Sequence, residues 1–452
     1  MERINEVQGK REKTSTPRGA ARRQIPDLRA FAAQYLVGGV SSSFRLNPFT
    51  GSPLYVDHAE GPYIFEVNGR RIIDFFMGHG ACVLGHNRPE VVGAIREALE
   101  SGLFAQHDSY LTASLAAKIV EHVPCAEQVR YTNSGTEATL LCLRLARGYT
   151  GRDKIVRIDG HFHGVHDYVL SNNYAHKIDP ENAGDRPSRI GALTAGIPQA
   201  IRDTMYAVPW NNAGVFADLA KEKGHEIAAI IMNPIDYNNG CVTTSTEYLA
   251  AIRGICNRHG ILLIFDEILS GFRTGITCAQ GYYGVTPDLC SLGKALTNGF
   301  PLAAVAGKRA ILQKIMDPGD PVIAGGTFSG NLLGCAAGLA AMGIMEEPGF
   351  FPEWLGRAEK FFLALRDLLS RAGIPARVQW LGPTFCIYFG VTEPITDYRQ
   401  FPKLDRKMTS RFFVRCIEEG LYFHTDFTVS ARHTEGVLDE ALSILEKVAK
   451  TL

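Results

Sequence analysis

The chain has 452 residues, 46% hydrophobic and 21% charged, enough for one large domain with a smaller companion and too apolar for a disordered protein. Lys+Arg and Asp+Glu both total 47, so no net charge draws it to nucleic acid or to an anionic membrane, and the expected partner is a small molecule. Ten cysteines without a C-x-x-C pair, no eighteen-residue apolar run and no apolar leader segment point to a reduced, cytoplasmic protein with neither structural zinc nor a membrane span.

Residues 1–25 mix acidic and basic side chains with few apolar ones and are expected to form a mobile, solvated arm. Residues 26–79 read as the N-terminal part of a small domain, where "GPYIFEVNGRRIIDFF" alternates about an Asn-Gly turn as a hairpin does. Across 80–335, and most clearly from Leu115 to Val305, short apolar runs alternate with helical periodicity. This is the pattern of a large α/β domain with a mostly parallel sheet covered on both faces. The clearest unit joins "EIAAIIMNP", "STEYLAAIRGICNRHG" and "ILLIFDE" as strand, helix and strand. Ser245 or Thr246 caps the helix, Leu249, Ile252, Ile255 and Cys256 form its apolar face, and Gly260 stops it. The flanking runs are apolar at nearly every position, as strands buried on both sides are. Residues 336–452 mix strands such as "FCIYFG" with amphipathic helices and complete a smaller α+β domain built from both chain ends.

In open parallel sheets ligands bind off the carboxyl ends of the strands, so chemistry is sought just after each apolar run. In "VRYTNSGTEATLLCLRLARGYTG" Ser134 and Glu137 match a capping box, which an ordinary helix start explains. The same residues also suit a phosphate: Gly135 admits close backbone approach, the helix end offers free N–H groups, and Ser134 and Thr136 add hydroxyls. "DGHFHGVHD" holds His161, His163 and His166, which read alone resemble metal ligands. "ILLIFDE" leaves Asp266 just past a buried strand, where a carboxylate is costly unless a cation meets it or a turn uses it. "DLCSLGKALTNGFP" places Lys294 between an apolar approach and a glycine-rich turn, able to reach the same crevice and to form an imine with an aldehyde. "AGGTFSGN" offers Thr327 in a second phosphate-binding turn, or an ordinary tight turn. Together these are the parts of a pyridoxal 5′-phosphate (PLP) site.

The motifs "NSGTEAT", "RLARGYTGRDKI", "FDEILSGFR", "YYGVTPDLCSLGKAL" and "GGTFSGN" resemble the class III, fold type I aminotransferases, in the branch of glutamate-1-semialdehyde 2,1-aminomutase. "DFFMGHGACVLGHNRP" is closer to the D-phenylglycine aminotransferase relatives of that branch, the aminomutase having a tryptophan where His79 stands. The resemblance implies a seven-stranded-type, mostly parallel sheet and PLP as cofactor. It makes Lys294 the carrier of the internal aldimine and Asp266 the partner of the ring nitrogen. Ser134, Gly135 and Thr136 would hold the phosphate, joined by Thr327 from a neighbouring subunit of a homodimer with a shared site. Phe162 would stack on the ring with His163 beside it, Asn238 would lie near the ring hydroxyl, and no metal is expected.

Arg45 matches the branch's carboxylate-binding arginine, which implies an amino acid as donor. His79 and Tyr110 are further candidates for the substrate pocket, and Arg432 for a second carboxylate contact. The branch's acidic residue near Tyr110 is absent, its glutamate before proline is Asn233, and its glycine-rich lid is replaced by the longer polar segment 171–199. An amine shift within one molecule must retain its intermediate, whereas transamination must release a product. These departures favour transamination between an amino acid and a keto acid, through pyridoxamine phosphate. The alternatives are an aminomutase or other PLP isomerase or racemase, and a histidine-cluster metal-binding protein.

Overall fold

Uniform burial along two apolar runs sets the centre of the molecule. In the computed structural model, which describes residues 27–171, 187, 190, 194–424 and 426–452, both Ile227–Met232 and Leu262–Glu267 are buried at every position. The expected arm at 1–25 and most of the polar segment 171–199 lie outside the described residues.

In chain order, helix α1 (Leu28–Tyr35) precedes strands β1 (Val56–Glu60), β2 (Tyr63–Glu66) and β3 (Arg71–Asp74). Helices α2 (Pro89–Glu100) and α3 (Tyr110–His122) lead to β4 (Gln128–Thr132), α4 (Gly135–Thr150), β5 (Lys154–Ile158) and β6 (Met205–Val208). Then come α5 (Ala213–Lys223), β7 (Ile227–Met232), α6 (Thr246–His259), β8 (Leu262–Glu267), β9 (Leu289–Leu292) and β10 (Ala303–Gly307). The C-terminal part holds α7 (Leu332–Met345), α8 (Phe350–Arg371), β11 (Ala376–Leu381), β12 (Thr384–Phe389), α9 (Arg406–Glu418), β13 (Leu421–Tyr422), β14 (Phe427–Thr428) and α10 (Glu435–Ala449).

Seven strands form the large sheet in the order β4-β10-β9-β8-β7-β5-β6. Strand β10 runs antiparallel to both neighbours and the others are parallel, so six strands end on the same edge. The helix between β7 and β8 forms as its sequence dictates. Ser245 Oγ accepts from the Tyr248 N–H at 3.2 Å, which settles Ser245 rather than Thr246 as the cap, and Gly260 closes the helix at φ 61°. Both chain ends contribute to the smaller layers. The β2–β3 hairpin turns at Asn68-Gly69 as expected, and β13 pairs with β3 in parallel, Leu421 opposite Ile73. Stacked aromatic rings, Phe75 on Phe361 and Phe423 among them, fill the core beneath. Helix α7 runs unbroken through the 335/336 boundary expected from the sequence, because its small residues pack it against α2 and α3.

Candidate active site

The carboxyl edge of the large sheet opens into a cavity of about 330 Å³. Five strand ends reach it: Gly135 and Thr136 after β4, Phe162 and His163 after β5, Asn233 and Asn238 after β7, Asp266 in β8, and Lys294 after β9. Ser42, Phe44 and His79 close it from the N-terminal segment. Phe44 and Phe162 meet edge to face, ring centroids 5.8 Å apart at 84°, forming an aromatic wall.

Helix α4 starts at this wall. Ser134 caps it by accepting from the Glu137 N–H at 3.3 Å, but the capping box is displaced: the Glu137 carboxylate accepts from the Asn133 N–H at 2.9 Å instead of from Ser134. Gly135 and Thr136, whose first-turn N–H groups have no acceptor within the helix, line the cavity, the arrangement that attracts an anion. Gly164 packs against this turn so closely that a Cβ there would stand 2.7 Å from Thr136 Oγ1.

Asp266 is 2% exposed and held by three contacts: Ser291 Oγ donates to its Oδ1 at 2.8 Å, the Ile268 N–H at 3.1 Å, and His163 Nδ1 lies 2.8 Å from its Oδ2. Burial lowers the pKa of His163 despite this carboxylate, so its ring resists protonation. Lys294 sits on a left-handed backbone at φ 46°, a conformation that costs a non-glycine residue on the order of 1–3 kcal/mol and that aims its side chain into the cavity. Its pKa is pushed down to about 8, chiefly by burial. The Asp426 carboxylate opposes that shift, Arg273 adds to it, and Asp266 opposes it more weakly.

Asp426 was not signalled by the sequence. It comes from the C-terminal part, is buried, and bonds His79 Nδ1 in the cavity wall. Burial alone would raise its pKa, but His79, Lys294 and Arg273 together bring it below the usual range, so it is a carboxylate at neutral pH. Asn233, noted in the sequence only as a departure, also lines the cavity, its Nδ2 donating to the Asp266 carbonyl at 3.2 Å.

The three histidines of "DGHFHGVHD" turn to separate partners: His161 Nδ1 accepts from the Asn233 N–H at 3.0 Å, His163 faces Asp266, and His166 Nε2 lies 3.3 Å from Thr139 Oγ1. The segment leaves β5 as a turn rather than as a continued strand, yet Phe162 still faces the cavity while His161 is buried behind it.

Other expected residues lie elsewhere. Arg45 is exposed and outside the cavity lining, although Ser42 and Phe44 beside it reach in. Tyr110, 75% exposed at the start of α3, and exposed Thr327 do not line this chain's own cavity. Arg432 packs over Gly85, where its side chain leaves no room for a Cβ. Ser134 is exposed and spends its hydroxyl on the cap, leaving Gly135 and Thr136 to face inward.

These residues fit a phosphorylated pyridine aldehyde. His163 and Asn233 both line the cavity, and His163 Nε2 and Asn233 Oδ1 are buried with no hydrogen-bond partner among the described residues, polar capacity at the site that the protein does not use. The donor set offers an anion-binding helix start, a lysine of lowered pKa and a carboxylate for a ring N–H.

The family model described as Aminotransferase class-III matches residues 48–434. Among solved structures, an omega-transaminase from Sphaerobacter thermophilus is 27% identical with a TM-score of 0.86, over 94% of this chain and 97% of that one. A transaminase with PLP bound is 25% identical with a TM-score of 0.83, over 97% and 98% of the two chains. A glutamate-1-semialdehyde aminomutase from Pseudomonas aeruginosa PAO1 shares the fold at 21% identity and a TM-score of 0.82, over 95% and 96%.

Proposed function

The chain belongs to the class III aminotransferases, and we propose that the cavity around Lys294 is where it holds its cofactor and exchanges amino groups. The enzyme is a PLP-dependent transaminase that moves an amino group between an amino acid and a keto acid. When bound, PLP supplies an aldehyde that takes up the amine and a protonated ring that draws electrons from the neighbouring carbon.

The observation that carries this reading is the convergence of Lys294, Asp266 and the first turn of α4 on one cavity. Lys294 Nζ would hold the aldehyde between turnovers. Once displaced by substrate, its lowered pKa suits it to take and return a proton at the substrate α-carbon near neutral pH. Asp266, oriented by Ser291 and His163, would face the ring nitrogen. Gly135 and Thr136, with Ser134 at the cap, would bind the phosphate; Phe162 would cover the ring face, and Asn238 would stand near the ring hydroxyl. The Phe44–Phe162 wall would exclude water from the reacting carbon.

The site would be completed by a second copy of the chain. Thr327 is exposed beside Phe328, itself 64% exposed, and Phe328 lines an apolar hollow with Leu103 and Phe104, 73% and 40% exposed. An apolar surface of this kind supports self-association, which would offer Thr327 and Tyr110 to the partner's cavity. Arg45 would stand at the rim and His79 in the wall as substrate contacts.

The test is Lys294→Ala. The wild-type protein is expected to be yellow and to release one equivalent of keto acid per site from an amino donor supplied without acceptor. The variant is expected to lose both properties. An isomerised substrate with no released keto acid would favour an aminomutase instead.

A further inference from the structure

The His79–Asp426 pair explains how the cavity could recognise a carboxylate although Arg45 lies outside its lining. Apart from Lys294 and the fully buried His163, His79 is the side chain among the described lining residues able to carry positive charge. It is also partly open, its side chain 34% exposed. The bond from Nδ1 to Asp426 matters because a carboxylate can only accept, so the hydrogen must sit on Nδ1. That leaves Nε2 as the nitrogen available to a ligand, and it donates to a carboxylate when the ring carries hydrogen on both nitrogens. Asp426 is firmly a carboxylate, being surrounded by His79, Lys294 and Arg273. Arg273 is tied in turn to the turn bearing His79, through its bond to the Gly80 carbonyl. The histidine backbone is itself in the left-handed region, at φ 60°. The pair therefore has a fixed orientation, set by two chain segments brought together from opposite ends.

We propose that His79 binds the substrate carboxylate through Nε2 and that Asp426 is the positioning residue that fixes which ring nitrogen faces the cavity. The proposal rests on the assignment of the Lys294 cavity as the active site and adds to it the recognition of the substrate's acid group.

Two substitutions separate the two nitrogens. The short amide of His79→Asn reaches where Nδ1 was and suits the left-handed backbone, so it keeps the Asp426 contact and loses only Nε2. His79→Gln places its amide nearer the Nε2 position. Holoenzyme is assayed with an amino-acid donor and with the matching amine that lacks the carboxylate. His79→Asn is expected to lower the ratio of kcat/KM for the acid over the amine by about 10- to 100-fold, as loss of a hydrogen bond to a charged group does. His79→Gln should recover part of that ratio, and Asp426→Asn should lower it in the same direction.

The second readout is independent of turnover. In protein labelled with ¹⁵N-histidine, the His79 signal, assigned by its loss in His79→Asn, is followed by NMR while pyruvate is added. The Nε2 resonance is expected to shift as pyruvate binds, and in Asp426→Asn the free protein should show an altered tautomer balance. An Nε2 signal indifferent to pyruvate, or an unchanged acid-to-amine ratio in His79→Asn, overturns the carboxylate contact. An unchanged tautomer in Asp426→Asn overturns the positioning role. Failure of the cavity assignment itself would appear differently, as visible absorbance that survives Lys294→Ala.

Discussion

The packing of Gly164 against the start of α4 makes a quantitative claim that two alanine substitutions can check. At Gly164 the backbone has φ +103°, and an added Cβ would stand 2.7 Å from Thr136 Oγ1 and 2.9 Å from Thr136 Cα, so backbone as well as side chain must yield. The strained conformation costs on the order of 1–3 kcal/mol and the crowding about as much again, giving roughly 2–6 kcal/mol for Gly164→Ala. Gly151 closes the other end of the same helix at φ +68° and has nothing within 4 Å of its missing Cβ. Gly151→Ala therefore costs only the backbone term, about 1–2 kcal/mol. Urea unfolding at a fixed, saturating PLP concentration compares the two through their midpoints at unchanged slope. Because the atoms displaced by Gly164→Ala belong to the proposed phosphate cradle, PLP affinity should fall in that variant and persist in Gly151→Ala. Equal midpoints, or equal loss of affinity, would refute the packing argument.

Lys294 in protein stripped of cofactor should be acylated at half its maximal rate near pH 8, followed in time by mass spectrometry, since burial destabilises its charged form and leaves roughly a quarter of it neutral at pH 7.5. A midpoint above pH 10 would contradict the buried setting. His86 should remain protonated well above neutrality. Burial acts to lower its pKa, but the hydrogen bond to Asp74, 2.7 Å away, and a further contact with Cys82 raise it to about 10. A raised folded pKa means that the pair's stabilisation is full below about pH 6.5 and is lost as pH rises through about 10. NMR should show a cationic ring at pH 8.5, and unfolding midpoints should fall across that interval. Phe328→Asp places a charge on the exposed apolar hollow and should convert a dimer to monomer in sedimentation; an undiminished dimer would remove this face from the proposed interface.

Much of this architecture was legible because local pattern and tertiary role agree. Strands β7 and β8 are apolar at almost every position because both faces are covered, and the helix between them announces its limits at Ser245 and Gly260. Asp266 and Lys294 stood out because a charged group just past a buried strand is costly without a purpose. Asp426 did not, because the strands flanking it, β13 and β14, are two residues each and carry no periodicity to read. The displaced bond of Glu137 was equally hidden, since the S-x-x-E pattern specifies the participants and not which neighbouring N–H the carboxylate takes. Arg45 was named through family likeness, Tyr110 as a candidate for the substrate pocket, and Thr327 from its glycine-rich turn as well as from the likeness. A single chain leaves all three outside the cavity lining, because their proposed contacts depend on rim geometry or on a second copy.

The His79–Asp426 contact spans 347 positions, and β13, just before Asp426, pairs with β3, just before His79. At ribosomal speeds of about 5–20 residues per second, the earlier partner emerges roughly 20–70 s before the later one. A nascent or prematurely terminated polypeptide that ends before Asp426 thus holds the described cavity-lining residues, Ser42 to Lys294, without the carboxylate that orients His79. The orientation of His79 is therefore the property of this site that waits for the last stretch of translation.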